Sequence, residues 1–190
     1  MAEKSTDKTP ASKSESPEAK KLYIAFYDPY AENNDQAFER AAKTWKAGIE
    51  GAPGFRPGVD EVMLLPAGSD QEFRLQWNYA AFFATREKFL VKEIHLFGHA
   101  SQDKKGNIYG IEFSNKYRID TTGFNKDTTL TAEDLGTLRP MPFHPKAFIT
   151  LTGCNSANIS ESEKKESIAK AFAQTFRVPT LGAPVDSVFS

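Results

Sequence analysis

The chain has 190 residues, with 24 Lys and Arg against 25 Asp and Glu and a formal net charge of -1. That length fits one domain with its own core. The balanced charge gives no long-range field to draw the molecule to nucleic acid or an anionic membrane. No apolar run approaches the roughly 18 residues of a membrane span, and the first 21 residues lack the apolar stretch of a signal peptide. The single cysteine, Cys154, excludes an internal disulfide framework and a multi-cysteine zinc site.

Residues 1–21 are dominated by Lys, Ser, Glu, Thr and Pro, with Met and Ala as their apolar members. Such a segment buries too little surface to offset its ordering entropy, so a disordered tail or linker is expected, followed by one domain over residues 22–190. Leu22-Tyr23-Ile24-Ala25-Phe26-Tyr27, ended by Asp28-Pro29, predicts a buried strand running into a loop. Phe38, Ala41, Ala42, Trp45 and Ile49 recur at helical spacing until Gly51 and Pro53 stop the pattern. Residues 59–65, set between Pro-Gly punctuation, predict a second strand. Phe73, Trp77, Ala80, Ala81 and Ala84 predict a second helix, with Phe82, Phe83 and Phe89 widening its apolar side.

Residues 93–97 predict a third strand leading into Gly98-His99-Ala100-Ser101. Residues 108–113 and 117–119, separated by Ser114-Asn115-Lys116, have the pattern of a surface hairpin. Thr131 to Asp134 reads as the capped start of a short helix, and His144, between Pro142 and Pro145, as a loop residue. Residues 147–152 predict a fourth strand that delivers Gly153-Cys154-Asn155-Ser156. Ser160 with Glu163 suggests a capping box for a last helix bearing Ile168, Ala171, Phe172 and Phe176, and residues 178–181 a fifth strand. The alternation predicts an α/β fold: a mostly parallel sheet with helices on both faces.

In such a sheet, reactive groups gather where loops leave the carboxyl ends of the strands. His99 follows the third strand and Cys154 the fourth, fifty-five residues later, each after an apolar run and a glycine. Right-handed crossovers between neighbouring strands bring both to one edge. An imidazole there favours the thiolate, the form that attacks a carbonyl, and protonates the leaving amine. The amides of Ala100 and Cys154 are candidate donors to the oxyanion. The chemistry needs no cofactor, and a metal reading of His95 and His99 lacks a third ligand. Asp28 ends the first strand at the same predicted edge, where a carboxylate selects a basic side chain of a peptide or simply opens a turn. Asp186 is a second candidate on the same positional grounds.

Phe97-Gly98-His99-Ala100-Ser101 and, after a hairpin-like stretch, Thr152-Gly153-Cys154-Asn155-Ser156-Ala157 resemble the two motifs of the caspase-like cysteine peptidases. Residues 178–183, with the helix before them, look most like the CHAT-type and gingipain-type branches. The resemblance implies a caspase-like fold, with His99 as the catalytic histidine, Cys154 as the nucleophile and a protein or peptide as substrate. Such enzymes usually carry Gly after the histidine, where this chain has Ala100, and the chain could stop before a final strand. An inactive interaction module of the same fold is the competing reading. The expected setting is the cytoplasm, or export as a bacterial effector or toxin protease without a cleavable signal peptide. Amidotransferase, serine-hydrolase and nucleotide-binding signatures are absent from the sequence.

Overall fold

A computed structural model describes residues 18–30, 36–102, 108–113, 129–153 and 167–182, with the side chains of 100–102 and 108–109 outside that description. The described elements are β1 (Lys20–Tyr27), α1 (Ala37–Glu50), β2 (Glu61–Pro66), α2 (Asp70–Glu87), β3 (Phe89–Phe97) and β4 (His99–Gln102). They continue with β5 (Ile108–Glu112), β6 (Thr129–Thr131), α3 (Ala132–Leu135), β7 (Phe143–Thr152), α4 (Ile168–Phe176) and β8 (Thr180–Gly182). The fold is α/β. A five-stranded sheet in the order β2-β1-β3-β7-β8 is parallel throughout, and β4-β5-β6 form a small antiparallel sheet beside it. Among the described residues no helix is long and apolar enough to cross a membrane.

Alternation along the strands sends side chains to two covered faces. Leu22, Ile24 and Phe26 of β1 join Ile94, Leu96, Ile149 and Leu151 in a core closed by Phe73 and Trp77 of α2 and Phe172 of α4. Ala25 and Phe97, on the other face, pack against Phe38 and Ala42 of α1. Helix α2 starts at Ser69, whose hydroxyl accepts the Glu72 amide at 3.1 Å, and α4 starts at Ser167, whose hydroxyl accepts the Lys170 amide at 3.2 Å. The Thr131–Asp134 capping box is present as predicted.

Several boundaries differ from the sequence reading. β1 begins at Lys20, inside the expected tail; Arg56 there donates to the carbonyls of Glu18 and Ala19. Phe89 opens β3 instead of extending α2, because Lys88 takes a left-handed conformation (φ 59°) that ends the helix and reverses the chain. Phe82 lies on the exposed side of α2 rather than on its core side. His144 belongs to β7, which starts four residues earlier than expected. β5 pairs with β4 and β6, and helix α4 is capped by Ser167. Residues 117–119, Ser160 and Glu163 lie outside the described residues.

Candidate active site

Register places the carboxyl ends of three strands side by side. Tyr27 of β1 is opposite Phe97 of β3, and Phe97 is opposite Thr152 of β7. Neighbouring strands are about 4.8 Å apart, so the chain leaves β3 for His99 and β7 for Gly153 from adjacent positions on one edge. Cys154, the next residue after Gly153, and Asp186 lie outside the described residues.

Gly98 is a one-residue break between two strands rather than an open turn. Its φ is not positive; a Cβ there would come within 3.1 Å of Ile111 Cγ2, so the glycine provides room for β5. Ala100, a candidate oxyanion donor, accordingly sits within β4, opposite Ile111. β4 is an edge strand of the small sheet, and along such a strand alternate amides face away from the ladder.

His99 itself is exposed. Its ring meets the buried Phe38 of α1 edge to face, with centroids 4.9 Å apart and planes at 76°. Phe38 thus braces one side of the imidazole with an apolar ring contact. Asp28 is fully buried at the end of the adjacent strand β1. Its amide donates to the Phe97 carbonyl at 3.1 Å, and its Oδ1 accepts the Tyr30 amide at 2.9 Å. That is the geometry of a side-chain-closed turn: Asp28 is brought to the edge that holds His99, with its carboxylate engaged by the loop it starts.

A second histidine, given no role from the sequence, lies just inside this edge. His95 stacks on Phe97 with centroids 4.1 Å apart, faces the edge of Trp45 at 5.8 Å, and shares a hydrogen bond between its Nε2 and Thr152 Oγ1. Its Nδ1 is buried without a hydrogen-bond partner among the described residues. Burial lowers its pKa to about 4, so the ring is neutral near pH 7. Glu93, on the same face, accepts Trp45 Nε1 at 2.9 Å, and burial raises its pKa. The only hint of His95 in the sequence is its inward position on a core strand; the partner, Thr152, is 57 residues away.

Among the described residues no three His, Cys, Asp or Glu side chains are gathered as a metal ion would require. His95 and His99 lie on either side of the break at Gly98 and belong to different sheets. No protein-family model matches the chain, and a comparison with curated proteins finds no match.

Proposed function

We propose that this chain is a caspase-like cysteine peptidase acting on a protein or peptide, with Cys154 as nucleophile and His99 as its acid/base partner. The observation that carries the reading is the register of β3 and β7: adjacent parallel strands end level with each other, one leading to His99 and the other to Gly153 and Cys154. The exposed His99 ring, braced by Phe38 and not buried as a core histidine would be, supports the same reading.

In the proposed reaction the Cys154 thiolate forms a bond to the scissile carbonyl carbon. The C–N bond then breaks as His99 gives its proton to the leaving amine. Water next attacks the thioester while His99 takes its proton, and the thiol is released with the carboxylic acid product. Backbone amides at Ala100 and Cys154 are the oxyanion donors in this proposal. Asp28 enters as the anchor of the loop beside the site; a direct role in selecting a basic residue predicts a cleavage profile that loses its basic preference in Asp28→Ala.

Alkylation tests the dyad. Cys154 should react with iodoacetamide much faster than an ordinary buried thiol near neutral pH, and His99→Ala should slow that reaction. Turnover of a peptide library should vanish in Cys154→Ala and fall by orders of magnitude in His99→Ala, with no further loss in the double variant. A Cys154→Ala protein that retains its full effect on target protein or cells replaces the peptidase with the interaction module.

A further inference from the structure

Helix α2 is apolar on two sides, and among the described residues the core covers only one of them. Phe73, Trp77, Ala80, Ala81 and Ala84 are buried against the sheet. Leu75, Tyr79 and Phe82, on the outward side, remain 64%, 52% and 48% exposed. Those three belong to a longer series, Glu72, Leu75, Tyr79, Phe82 and Arg86, whose spacing of three, four, three and four residues is the repeat by which one helix presents a seam to another.

The charges at the two ends of this seam identify the occupant. Glu72, whose Oε2 also accepts the Gly68 amide at 2.7 Å, and Arg86, whose Nε also donates to Glu87 Oε1 at 2.7 Å, are both exposed, carry opposite charge and lie seven residues on either side of Tyr79, about 10 Å along the axis. A second α2 laid antiparallel, with a two-fold axis through Tyr79, brings Glu72 of each copy to Arg86 of the other and Leu75 of each close to Phe82 of the other. The seam is therefore complementary to itself, as a two-fold interface must be. At the Glu72 end it opens into a cleft of about 240 Å³ lined by Pro29, Tyr30, Pro66, Glu72, Leu75 and Gln76. In the antiparallel arrangement Phe82 of the second copy lies over that cleft. Tyr30 is held by the turn that Asp28 closes, so the second copy would sit beside the edge that bears His99.

We infer that α2 is a self-association surface through which two copies of this chain pair antiparallel, Leu75, Tyr79 and Phe82 forming the apolar seam and Glu72 meeting Arg86 at both ends. The inference does not depend on the peptidase reading. One helical seam covers less area than a standard stable interface, so the dimer should be weak, with a dissociation constant on the order of 100 μM.

Sedimentation equilibrium of the full chain over a range of concentrations tests it. The intact protein should pass from monomer to dimer as concentration rises. Tyr79→Glu, which sets two carboxylates together on the axis, should weaken pairing at least about tenfold with an unchanged melting temperature, since Tyr79 is half exposed. Glu72→Arg and Arg86→Glu should each weaken it, and the double exchange should restore it, because reversing both charges recreates the complementarity. A protein that stays monomeric to about 1 mM, roughly ten times the expected constant, overturns the inference. So does a dimer that neither Tyr79→Glu nor the single charge reversals alter. Monomeric protein whose residues 1–17 crosslink to α2 gives the seam to the chain's own tail instead.

Discussion

Beneath α2 and α4 the sheet buries rings in quantity: Trp77 lies 5.7 Å from Phe26, 5.8 Å from Phe73, 6.2 Å from Phe172 and 4.8 Å from Phe176. Beneath α1 the buried apolar cluster is Ala25, Phe38, Ala42 and Phe97, and polar groups share the face: Glu93 with Trp45, and His95 with Thr152. His99 and Phe38 are on the α1 side. The contrast separates two tasks. A dry, ring-filled layer supplies most of the hydrophobic stabilisation, whereas the mixed layer lies next to the strand ends where the proposed chemistry takes place. There, a buried group that resists ionisation is tolerated because the opposite layer carries the fold.

Removing the centre of the dry layer should produce the largest effect. Trp77→Ala deletes the four ring contacts and the indole N–H bond to the Arg139 carbonyl at 2.8 Å, and should lower unfolding free energy by about 3–5 kcal/mol in urea titrations. A loss below about 1 kcal/mol, the size of a typical surface change, would mean that the two layers are less unequal than their rings suggest.

The mixed layer should reveal itself through pH. His95 has a folded pKa of about 4 against an ordinary 6.5, so between those values the unfolded chain binds the proton that the folded chain refuses. Its contribution is complete above pH 6.5 and is lost as pH falls towards 4, amounting to about 3 kcal/mol. Glu93 acts in the opposite sense: its raised pKa costs stability as pH rises through the carboxylate range and favours folding below it. The His95 effect is thus cleanest at the upper end of the window, between about pH 5 and 6.5. Urea midpoints measured there should fall with decreasing pH in the native chain, and the slope should flatten in His95→Gln. Equal slopes in the two proteins would remove His95 as the source.

A smaller change isolates the other polar pair on that face. Trp45→Phe keeps an aromatic body but removes the donor to Glu93, which should cost about 1–2 kcal/mol and push the Glu93 carboxyl pKa further up. Carbon-13 titration of the Glu93 carboxyl, before and after the substitution, reads the second effect directly.

How far the sequence reveals these layers follows from the range of the interactions. Periodicity places α1, α2 and the core strands because a helix face and an alternating strand are local patterns. The Thr131–Asp134 box is legible for the same reason, since its partners are three residues apart. β4 is not: residues 99–102 carry no apolar run, and their strand conformation comes from pairing with β5. Phe89 misleads because periodicity cannot mark a helix end set by the positive φ of a lysine. The His95–Thr152 pair depends on the register of two distant strands. At the proposed site, the edge shared by Asp28 and His99 is legible from strand order, whereas the Phe38 brace and the strand position of Ala100 depend on tertiary packing.

The helix starts offer the finest comparison. Ser69 gives α2 a hydroxyl that accepts the Glu72 amide, and Ser69→Ala should cost about 1 kcal/mol. Helix α1 begins instead at Gln36, which has no side-chain cap and sits in the left-handed region at φ 48° and ψ 27°. For a residue with a Cβ that conformation costs about 1 kcal/mol or more, whereas glycine adopts it freely but loses more entropy on folding. Gln36→Gly should therefore stabilise the chain by a net ~0.5 kcal/mol, a rise of a degree or two in melting temperature for a domain of this size. Because Phe38 follows two residues later and rests against His99, a firmer α1 should hold the imidazole in place more closely. The Gln36→Gly variant should then alkylate at Cys154 at least as fast as the native chain. A fall in melting temperature would mean that the Gln36 side chain contributes more to the start of α1 than its backbone costs.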